Sequence, residues 1–152
     1  MVGAEQMNLG VNAVVVVREP ISAMEELQAF YTSVGYNAPI TENCVLVSAR
    51  SAGEVVGLVR LAFEDGFQLL RGMMIAPAWQ RKGIGTRMLH RLSEFMGSQA
   101  VYCLSHPWLE GFYGQVGFVK MDEAELPSHM AARLTDYRGR GYAQVALRRP
   151  GS

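Results

Sequence analysis

Two glycines, Gly83 and Gly85, stand where an apolar stretch is followed by a short basic segment and then by residues with helical spacing. Glycine tolerates positive φ and close backbone approach, so the amides from about Arg81 to Thr86 can turn inward together with the free N–H groups of a helix start. Such a row of donors binds phosphate, and Arg81 and Lys82 add positive charge beside it. The segment therefore predicts a site for an elongated anion such as a pyrophosphate.

This segment differs from two common phosphate-binding motifs. Lys82 precedes Gly83, and no glycine stands five residues upstream of the lysine as a P-loop requires. Met88 occupies the position at which a Rossmann fingerprint has its third glycine. These departures exclude a nucleoside triphosphate and NAD as ligands. They leave a tight strand-to-helix turn, which uses glycine only to save space, as the alternative interpretation.

The composition predicts a single domain whose net charge is close to zero. The chain has 152 residues, is 49% hydrophobic, and carries 14 basic and 14 acidic side chains, which suits a single core. The balanced charge argues against nucleic acid or an anionic membrane as a partner, so an anion site must be local. The first residues lack the features of a signal peptide, and the apolar run at 14–17 is too short to span a bilayer.

The two cysteines, Cys44 and Cys103, lie in apolar, strand-like stretches without a CxxC spacing or a neighbouring histidine. This pattern favours reduced thiols over a disulfide or a metal site, and we expect a cytoplasmic protein that binds no metal. Cys103 is a candidate nucleophile by residue type. However, the sequence supplies neither a helix N-terminus nor a basic partner to lower its pKa.

Hydrophobic periodicity predicts an α/β fold with a mixed, twisted sheet of about seven strands. Strands are expected at 13–17, 44–49, 54–63, 67–75, 100–105, 118–121 and 142–149, and helices at 22–34, 83–96, 107–115 and 126–141. Turns at 51–53 and 64–66 predict antiparallel hairpins. A capping box is expected from Ser22 to Glu25 and a helix stop at Gly35. The two strands that flank helix 83–96 should be parallel.

The expected boundaries are an N-terminal extension at 1–12, one domain at 13–148 and a solvated tail at 149–152. Within the domain, the segment Gln80-Arg81-Lys82-Gly83-Ile84-Gly85 resembles the Q/R-x-x-G-x-G/A signature of the GNAT superfamily of acetyl-CoA-dependent N-acetyltransferases. The segment FYGQVGF at 112–118 is similar to that superfamily's second hallmark. Two motifs in this order, about 30 residues apart, are more specific than either alone. The resemblance covers about 13–148 and implies a GNAT-like sheet that is splayed centrally, near residues 75 and 105.

The resemblance also implies how a coenzyme is held. In the superfamily, the glycine loop binds the pyrophosphate of coenzyme A through backbone amides, and here the corresponding residues are Gln80, Arg81, Lys82, Gly83, Ile84, Gly85 and Thr86. The preceding strand pairs with the pantetheine arm, which places Met73, Met74 and Ile75 beside the thioester. Gly72 is the expected bulge residue. A backbone N–H near Met74 would then stabilise the tetrahedral oxyanion.

Tyr113 matches the superfamily's usual general acid, which protonates the departing thiolate. The alternative is that Tyr113 is only part of an apolar helix face. His106 stands seven residues earlier, where many members have an asparagine that binds pantetheine. Its imidazole would replace that contact, serve as a base, or act as an N-cap before Pro107.

The general base is not specified by the resemblance, because Arg71 and Gly72 stand where the family often has a strand glutamate. The base is needed because an alkylammonium with a pKa near ~10 must lose a proton before it attacks. Candidates, in falling order, are His106, Glu110, Glu64 and Asp65, each of which is also typical of an ordinary surface group. His90 and His129 are expected on solvent-facing helix positions and receive no role.

Three residues are candidates for contact with the acceptor. Arg71 can bind a carboxylate in a bidentate way, or lie on an exposed face. Tyr36, in the loop at 36–43, and Tyr31 belong to the region that faces the acceptor in the family, and Trp79 is a further candidate neighbour of that loop. The expected function is acetyl transfer from acetyl-CoA to a primary amine of a small molecule or peptide, by direct attack in a ternary complex. The alternative is a non-catalytic acyl-CoA-binding sensor or assembly domain. The acceptor's identity stays open, as does the choice between a monomer and the homodimer common in the family.

Overall fold

Seven strands form one mixed sheet in the computed structural model, which describes residues 13–41 and 43–152. The strands are β1 (Val15–Glu19), β2 (Cys44–Ser51), β3 (Glu54–Glu64), β4 (Phe67–Ile75), β5 (Val101–Ser105), β6 (Val119–Lys120) and β7 (Val145–Arg149). The α-helices are α1 (Met24–Ser33), α2 (Ile84–Ser93), α3 (Glu110–Gly114) and α4 (Ser128–Gly139). The strand order is β1-β2-β3-β4-β5-β7-β6. The predicted α/β fold is therefore confirmed, while the predicted extension at 1–12 lies outside the described residues.

Two tight turns build the antiparallel part of the sheet. Ala52 and Gly53 join β2 to β3 with φ values of 50° and 84°, and Asp65 and Gly66 join β3 to β4 with 52° and 84°. Positive φ at both central residues is typical of the type I′ turn, whose twist matches that of the flanking strands. Both predicted hairpins are thus confirmed.

β4 and β5 form a parallel pair, whereas β7 pairs antiparallel with both β5 and β6. Gln68, Leu69 and Leu70 pair in parallel with Val101, Tyr102 and Cys103. This confirms the βαβ unit predicted around α2. The paired stretch lies at the beginning of both strands, and β4 continues for another five residues, from Arg71 to Ile75.

The chain divides by its contacts into two units. The first contains residues 1–60 and 72–95, and the second contains 61–71 and 96–152. Because β3 and β4 each contribute residues to both units, the sheet belongs to one domain.

In the first unit, α1 covers an apolar cluster of Leu27, Phe30, Tyr31, Ile40, Leu46 and Leu58. The helix stops as predicted, because Gly35 adopts φ +80° and the N–H of Tyr36 returns to the carbonyl of Tyr31 at 2.9 Å. The predicted capping box at Ser22 is wrong. A 3₁₀ turn at Ile21–Ala23 comes first, and α1 begins at Met24 without a side-chain cap.

α2 packs its apolar face on the sheet of the first unit. Ile84, Met88, Leu89 and Leu92 are buried, as the periodicity predicts. Gly57 of β3 lies directly under the helix, since a Cβ there would stand 2.8 Å from Sδ of Met88. The helix ends three residues before the predicted Met96, because the N–H groups of Glu94 and Phe95 bond three residues back, to Arg91 and Leu92.

In the second unit, α4 packs over a separate cluster of Leu69, Tyr102, Leu126, Met130, Leu134 and Ala146. β7 extends to Arg149, one residue beyond the predicted end of the domain. Nε of Arg149 donates to the carbonyl of Val116 at 2.9 Å. The N–H of Ser152 donates to the carbonyl of Ser98 at 2.8 Å. The expected solvated tail is therefore held against the fold by hydrogen bonds.

Candidate functional site

The start of α2 leaves its first backbone N–H groups without a side-chain cap. Gly83 is the N-cap residue, with φ +80°, and because it lacks a side chain the helix start has no side-chain cap. Arg81 also has a positive φ, of 62°. The first N–H groups of a helix have no partner within it, and they carry the positive end of the helix dipole. Only Gly83 of the two glycines uses the tolerance for positive φ, because Gly85 is the buried second residue of α2.

Two further features suit this helix start to a diphosphate. Arg81 and Lys82 are exposed beside it, so their charges can approach an anion. Gln80 is tied back to the end of β4, because its Nε2 donates to the carbonyl of Ile75 at 3.0 Å. The segment thus combines donors, positive charge and a fixed connection to β4, and these features fit the pyrophosphate expected from the sequence.

β4 is distorted at Gly72, where φ is +66°. The hydroxyl group of Tyr31 donates a hydrogen bond of 2.8 Å to the carbonyl of this glycine. After it, Met73, Met74 and Ile75 are only half-buried, whereas Gln68, Leu69 and Leu70 are buried. The irregular strand expected at Gly72 is therefore present, and the residues predicted to line the thioester are partly accessible.

The position of Tyr31 requires a correction. Its side chain is 0% exposed and belongs to the apolar cluster of the first unit. In the conformation described this side chain has no surface for an acceptor, and its hydroxyl is used at Gly72, so the structure gives Tyr31 a structural role there in place of the predicted direct contact. Tyr36 is half-buried, with its ring centroid 4.6 Å from that of Tyr31. Trp79 is also half-buried.

In the second unit, Tyr113 lies in α3 and is 4% exposed. Its ring makes edge contacts with Phe112 and Phe118, at centroid distances of 5.0 and 6.0 Å. Burial raises the pKa of the Cys103 thiol, although a hydrogen bond with the side chain of Tyr113 acts in the opposite direction. Cys103 is therefore a protonated thiol at neutral pH, as its apolar surroundings in the sequence suggest.

His106 is the N-cap residue of a 3₁₀ turn at Pro107–Leu109, but its side chain makes no capping hydrogen bond. Instead, the imidazole stacks on the indole of Trp108, with the centroids 4.5 Å apart and the planes 4° from parallel. Trp108 is 74% exposed. His106 therefore occupies the N-cap position that the sequence predicts, without a capping hydrogen bond from its side chain.

Glu64 is the centre of an ion-pair cluster in the second unit. Its carboxylate lies 2.8 Å from Nη2 of Arg133 and 3.3 Å from Nη1 of Arg71. Burial raises the pKa of Glu64, but the hydrogen bonds and charges of Arg133 and Arg71 outweigh it and hold this pKa below the ordinary value. Glu64 is therefore a weak base, and it competes with an acceptor carboxylate for Arg71. The other two base candidates, Asp65 and Glu110, are exposed.

His129, predicted on a solvent-facing position, belongs to the same cluster. Its ring nitrogens lie 3.6 Å from Glu64 and 3.4 Å from Asp65, and its side chain is 23% exposed. His90 is exposed, as expected. The described residues contain no group of three or more His, Cys, Asp and Glu side chains placed to hold a metal ion. Of the helices that the structure describes, none has the combination of length and apolarity needed to cross a membrane.

Sequence reasoning missed Arg60, a buried charge on β3. Its side chain is 1% exposed, and its Nη1 donates to the carbonyl of Pro39 at 2.6 Å. Its Nε and Nη2 have no hydrogen-bond partner among the described residues. The signal was present in the sequence, because Arg60 is the one charged residue in the apolar run at 55–63.

A family model described as an acetyltransferase (GNAT) domain matches residues 20–130. The chain therefore belongs to the GNAT acetyltransferase family. The seven-stranded mixed sheet agrees with this assignment. So does the start of α2, which follows β4 in the chain and is preceded by Gly83. No curated sequence matched the chain.

Solved structures share this fold at low identity. N-acetylglutamate synthase from Neisseria gonorrhoeae, complexed with coenzyme A and N-acetyl-glutamate, is 17% identical with a TM-score of 0.65 over 91% of this chain and 35% of its own. Rv2747 from Mycobacterium tuberculosis, complexed with CoA, is 16% identical with a TM-score of 0.64 over 88% and 97%. The ribosomal-protein-S18-alanine N-acetyltransferase from Escherichia coli is 13% identical with a TM-score of 0.64 over 91% and 94%. This chain thus spans 35% of the synthase and nearly all of the other two proteins.

Proposed function

We propose that this protein transfers an acetyl group from acetyl-CoA to a primary amine of a small molecule or peptide. Membership of the GNAT family supports acyl transfer in general. The observation that carries the finer proposal is the uncapped start of α2, which follows the distorted strand β4. In this arrangement one end of a coenzyme can be fixed by its phosphates while its thioester arm follows the strand.

Binding of the donor is assigned to the segment from Gln80 to Thr86. The amides around Gly83 would bind the pyrophosphate, and the exposed Arg81 and Lys82 would add charge attraction. Met73, Met74 and Ile75 would line the pantetheine arm. Their half-buried positions support this role, because they belong to the part of β4 that continues beyond the residues paired with β5.

Stabilisation of the tetrahedral intermediate is assigned to the backbone N–H near Met74. A pre-positioned amide can stabilise a developing oxyanion without reorganisation during the reaction. The distortion at Gly72, held by the Tyr31 hydroxyl, supports this assignment because it changes the direction of the backbone groups that follow.

Tyr113 is assigned the protonation of the departing thiolate, and His106 is the first candidate for accepting the proton of the amine. Burial raises the pKa of Glu64, but Arg133 and Arg71 together outweigh it and hold this pKa below the ordinary value, which argues against Glu64 as that base. We further propose that the amine attacks the acetyl group directly. The protonated, fully buried Cys103 supports this route, because it is poorly suited to form an acyl-enzyme.

One observation favours the alternative of a non-catalytic acyl-CoA-binding domain, namely that Glu64, a candidate base, is held in ion pairs. The decisive experiment combines two measurements on the same protein. Calorimetry with coenzyme A measures binding, and release of free thiol from acetyl-CoA is followed with a panel of primary amines. Amine-dependent release supports the transferase. Binding without amine-dependent release supports the alternative, and absence of binding overturns both.

A further inference from the structure

Arg60 occupies a place in the first unit where a permanent charge is costly. Its side chain is 1% exposed, and arginine stays protonated in proteins. Moving an ion of this kind out of water is energetically costly unless a partner compensates it. Among the described residues, Arg60 has one hydrogen-bond acceptor, the carbonyl of Pro39, to which Nη1 donates at 2.6 Å.

The described surroundings of Arg60 supply no negative charge. None of the ion pairs formed by the described residues includes Arg60. The Cys44 thiol is influenced by the charge of Arg60, but burial raises its pKa overall, so it remains a neutral thiol at pH 7. The described part of the chain therefore leaves this guanidinium without a counter-charge.

The two nitrogens without a partner are Nε and Nη2. Together they form one edge of the guanidinium, with parallel N–H bonds at the spacing of the two oxygens of a carboxylate. A single chloride or a carbonyl group would satisfy this edge less well. The edge thus fits a pair of anionic oxygens, as in a carboxylate or a phosphate group, and the carboxylate is the smaller of the two to bury.

We propose that Arg60 binds a carboxylate group of the acceptor, so that the preferred substrates are amines that also carry a carboxylate. This inference rests on the proposed acetyl transfer and assigns the acceptor side of the same site. Arg71, the candidate from sequence, is less suited because Glu64 already contacts it at 3.3 Å.

Tyr31 connects Arg60 to the distorted part of β4. The Cζ atom of Arg60 lies 5.9 Å from the centroid of the Tyr31 ring, and the hydroxyl of the same ring binds the Gly72 carbonyl at 2.8 Å. One aromatic side chain therefore separates the guanidinium from the strand that leads to Met74. An acceptor would need a spacer between its amine and its carboxylate to reach both places.

Entry of the carboxylate requires a change at the segment that covers Arg60. Pro39 contacts the guanidinium, and the adjacent Ile40 is buried with its N–H bonded to Oε1 of Gln28 at 2.8 Å. Binding is therefore coupled to opening of this segment, which predicts slower association for carboxylate-bearing amines than for plain ones.

The test compares ω-amino acids, from 3-aminopropanoate to 6-aminohexanoate, with the alkylamines that lack only the carboxylate. We expect the wild-type protein to favour at least one amino acid, and Arg60→Gln to reduce that ratio of kcat/KM values by about 10- to 100-fold. Arg140→Gln, which removes an exposed arginine bonded to Asp136 on α4, is the matched control and keeps the ratio. Equal losses for both amines in Arg60→Gln, or no preference in the wild type, would overturn the proposal.

A binding measurement separates this proposal from the proposed function. Calorimetry with coenzyme-saturated protein compares the same amino acid with its alkylamine, whether or not thiol is released. Binding of the amino acid that Arg60→Gln weakens supports the carboxylate site even if acetyl transfer fails. Binding that does not distinguish the two compounds, or that the substitution leaves unchanged, overturns the site while acetyl transfer can stand.

The thermal stability of Arg60 variants tests whether a carboxylate of the chain itself, rather than of an acceptor, pairs with Arg60. If Arg60 lacks an internal partner, Arg60→Met removes an uncompensated buried charge, and the thermal midpoint should stay equal or rise. Glu42, which lies outside the described residues, is the nearest carboxylate in the 36–43 segment of the sequence. A lowered midpoint in Arg60→Met, together with coupling to Glu42→Gln in a double-mutant cycle, would show that the chain fills this place itself and would overturn the proposal.

Discussion

The hydroxyl group of Tyr31 donates a hydrogen bond of 2.8 Å to the carbonyl oxygen of Gly72, a residue 41 positions away in the sequence. Gly72 has φ +66°, so this bond holds β4 in a conformation that side-chain-bearing residues rarely adopt. The conformation of the strand next to the proposed oxyanion donor therefore depends on a residue of α1.

Tyr31→Phe tests this dependence. Loss of the hydroxyl leaves the Gly72 carbonyl without its side-chain donor, and we expect a loss of about 1 kcal/mol in the free energy of unfolding. Because the strand is less well fixed, kcat should fall by about three- to tenfold while coenzyme affinity changes little. Tyr142→Phe, at a tyrosine that is 51% exposed, is the control. An unchanged kcat would show that the hydrogen bond serves stability alone.

Gly72→Ala should be far more damaging than the same change at another positive-φ glycine. A Cβ at Gly72 would lie 2.9 Å from Cζ of Tyr31, whereas a Cβ at Gly66, with φ +84°, meets nothing within 4 Å. We expect a loss of about 1 kcal/mol for Gly66→Ala from backbone strain, and about 2–4 kcal/mol for Gly72→Ala from strain and overlap. Chemical denaturation measures both. Equal losses would contradict the close packing of Tyr31 on β4.

Gly83→Val tests the coenzyme site. Gly83 has φ +80° and open space around its Cβ position, so a valine would add strain and place its methyl groups near the backbone donors of α2. We expect the dissociation constant for coenzyme A, measured by calorimetry, to rise at least about tenfold. Gly53→Val has the same backbone problem, at φ +84° in the β2–β3 turn, and should leave the affinity unchanged. An unaltered affinity in Gly83→Val would count against binding through these amides.

Tyr113→Phe tests the proposed general acid. Removal of the phenol should lower kcat by about 10- to 100-fold while coenzyme binding stays nearly intact. The buried ring contacts with Phe112 and Phe118 are retained by phenylalanine, so the fold should persist. Turnover that is unchanged at every pH would remove Tyr113 from the acid role.

The ion-pair cluster around Glu64 predicts a pH dependence of stability. The net effect of burial, which raises the pKa of Glu64, and of Arg133 and Arg71, which lower it, is a folded-state pKa below the unfolded one. The stabilisation is therefore present above the ordinary carboxyl pKa of ~4.3 and is lost as the pH falls through the lower folded value. His129 and Asp65 also face this cluster.

The measurement is the free energy of unfolding between neutral and acidic pH for the wild type and Glu64→Gln. Because glutamine does not titrate, the wild type should lose stability relative to the variant as the solution becomes acidic. Parallel curves for the two proteins would refute the contribution of Glu64.

Features fixed by neighbouring residues were predictable from the sequence. The turn at Asp65-Gly66 and the helix stop at Gly35 depend on glycine in positive φ within a few positions, and the structure contains both. The two motif segments were sufficient to identify the family. The end of α2 was less predictable, because the apolar spacing continues through Met96 although the helical bonding stops earlier.

Features that depend on distant contacts were not predictable. Tyr31 has the helical spacing of a core residue, but nothing local shows that its hydroxyl binds Gly72. Arg71 and His129 were interpreted only from the strand and the helix that contain them. Their surroundings are set by Glu64 of β3, whose carboxylate lies close to both side chains. Arg60 was visible as a single charge in an apolar run, yet its unsatisfied edge appears only when the contact with Pro39 is known.

The two cysteines differ in a way that is useful for labelling. Cys103 is fully buried and burial raises the pKa of its thiol, so a maleimide dye should not reach it under native conditions. Cys44 is half-buried at the end of the 36–43 segment, where its Sγ contacts the carbonyl of Thr41 at 2.9 Å. A fluorophore would therefore attach at one defined position, next to the segment that contributes the contact between Pro39 and Arg60.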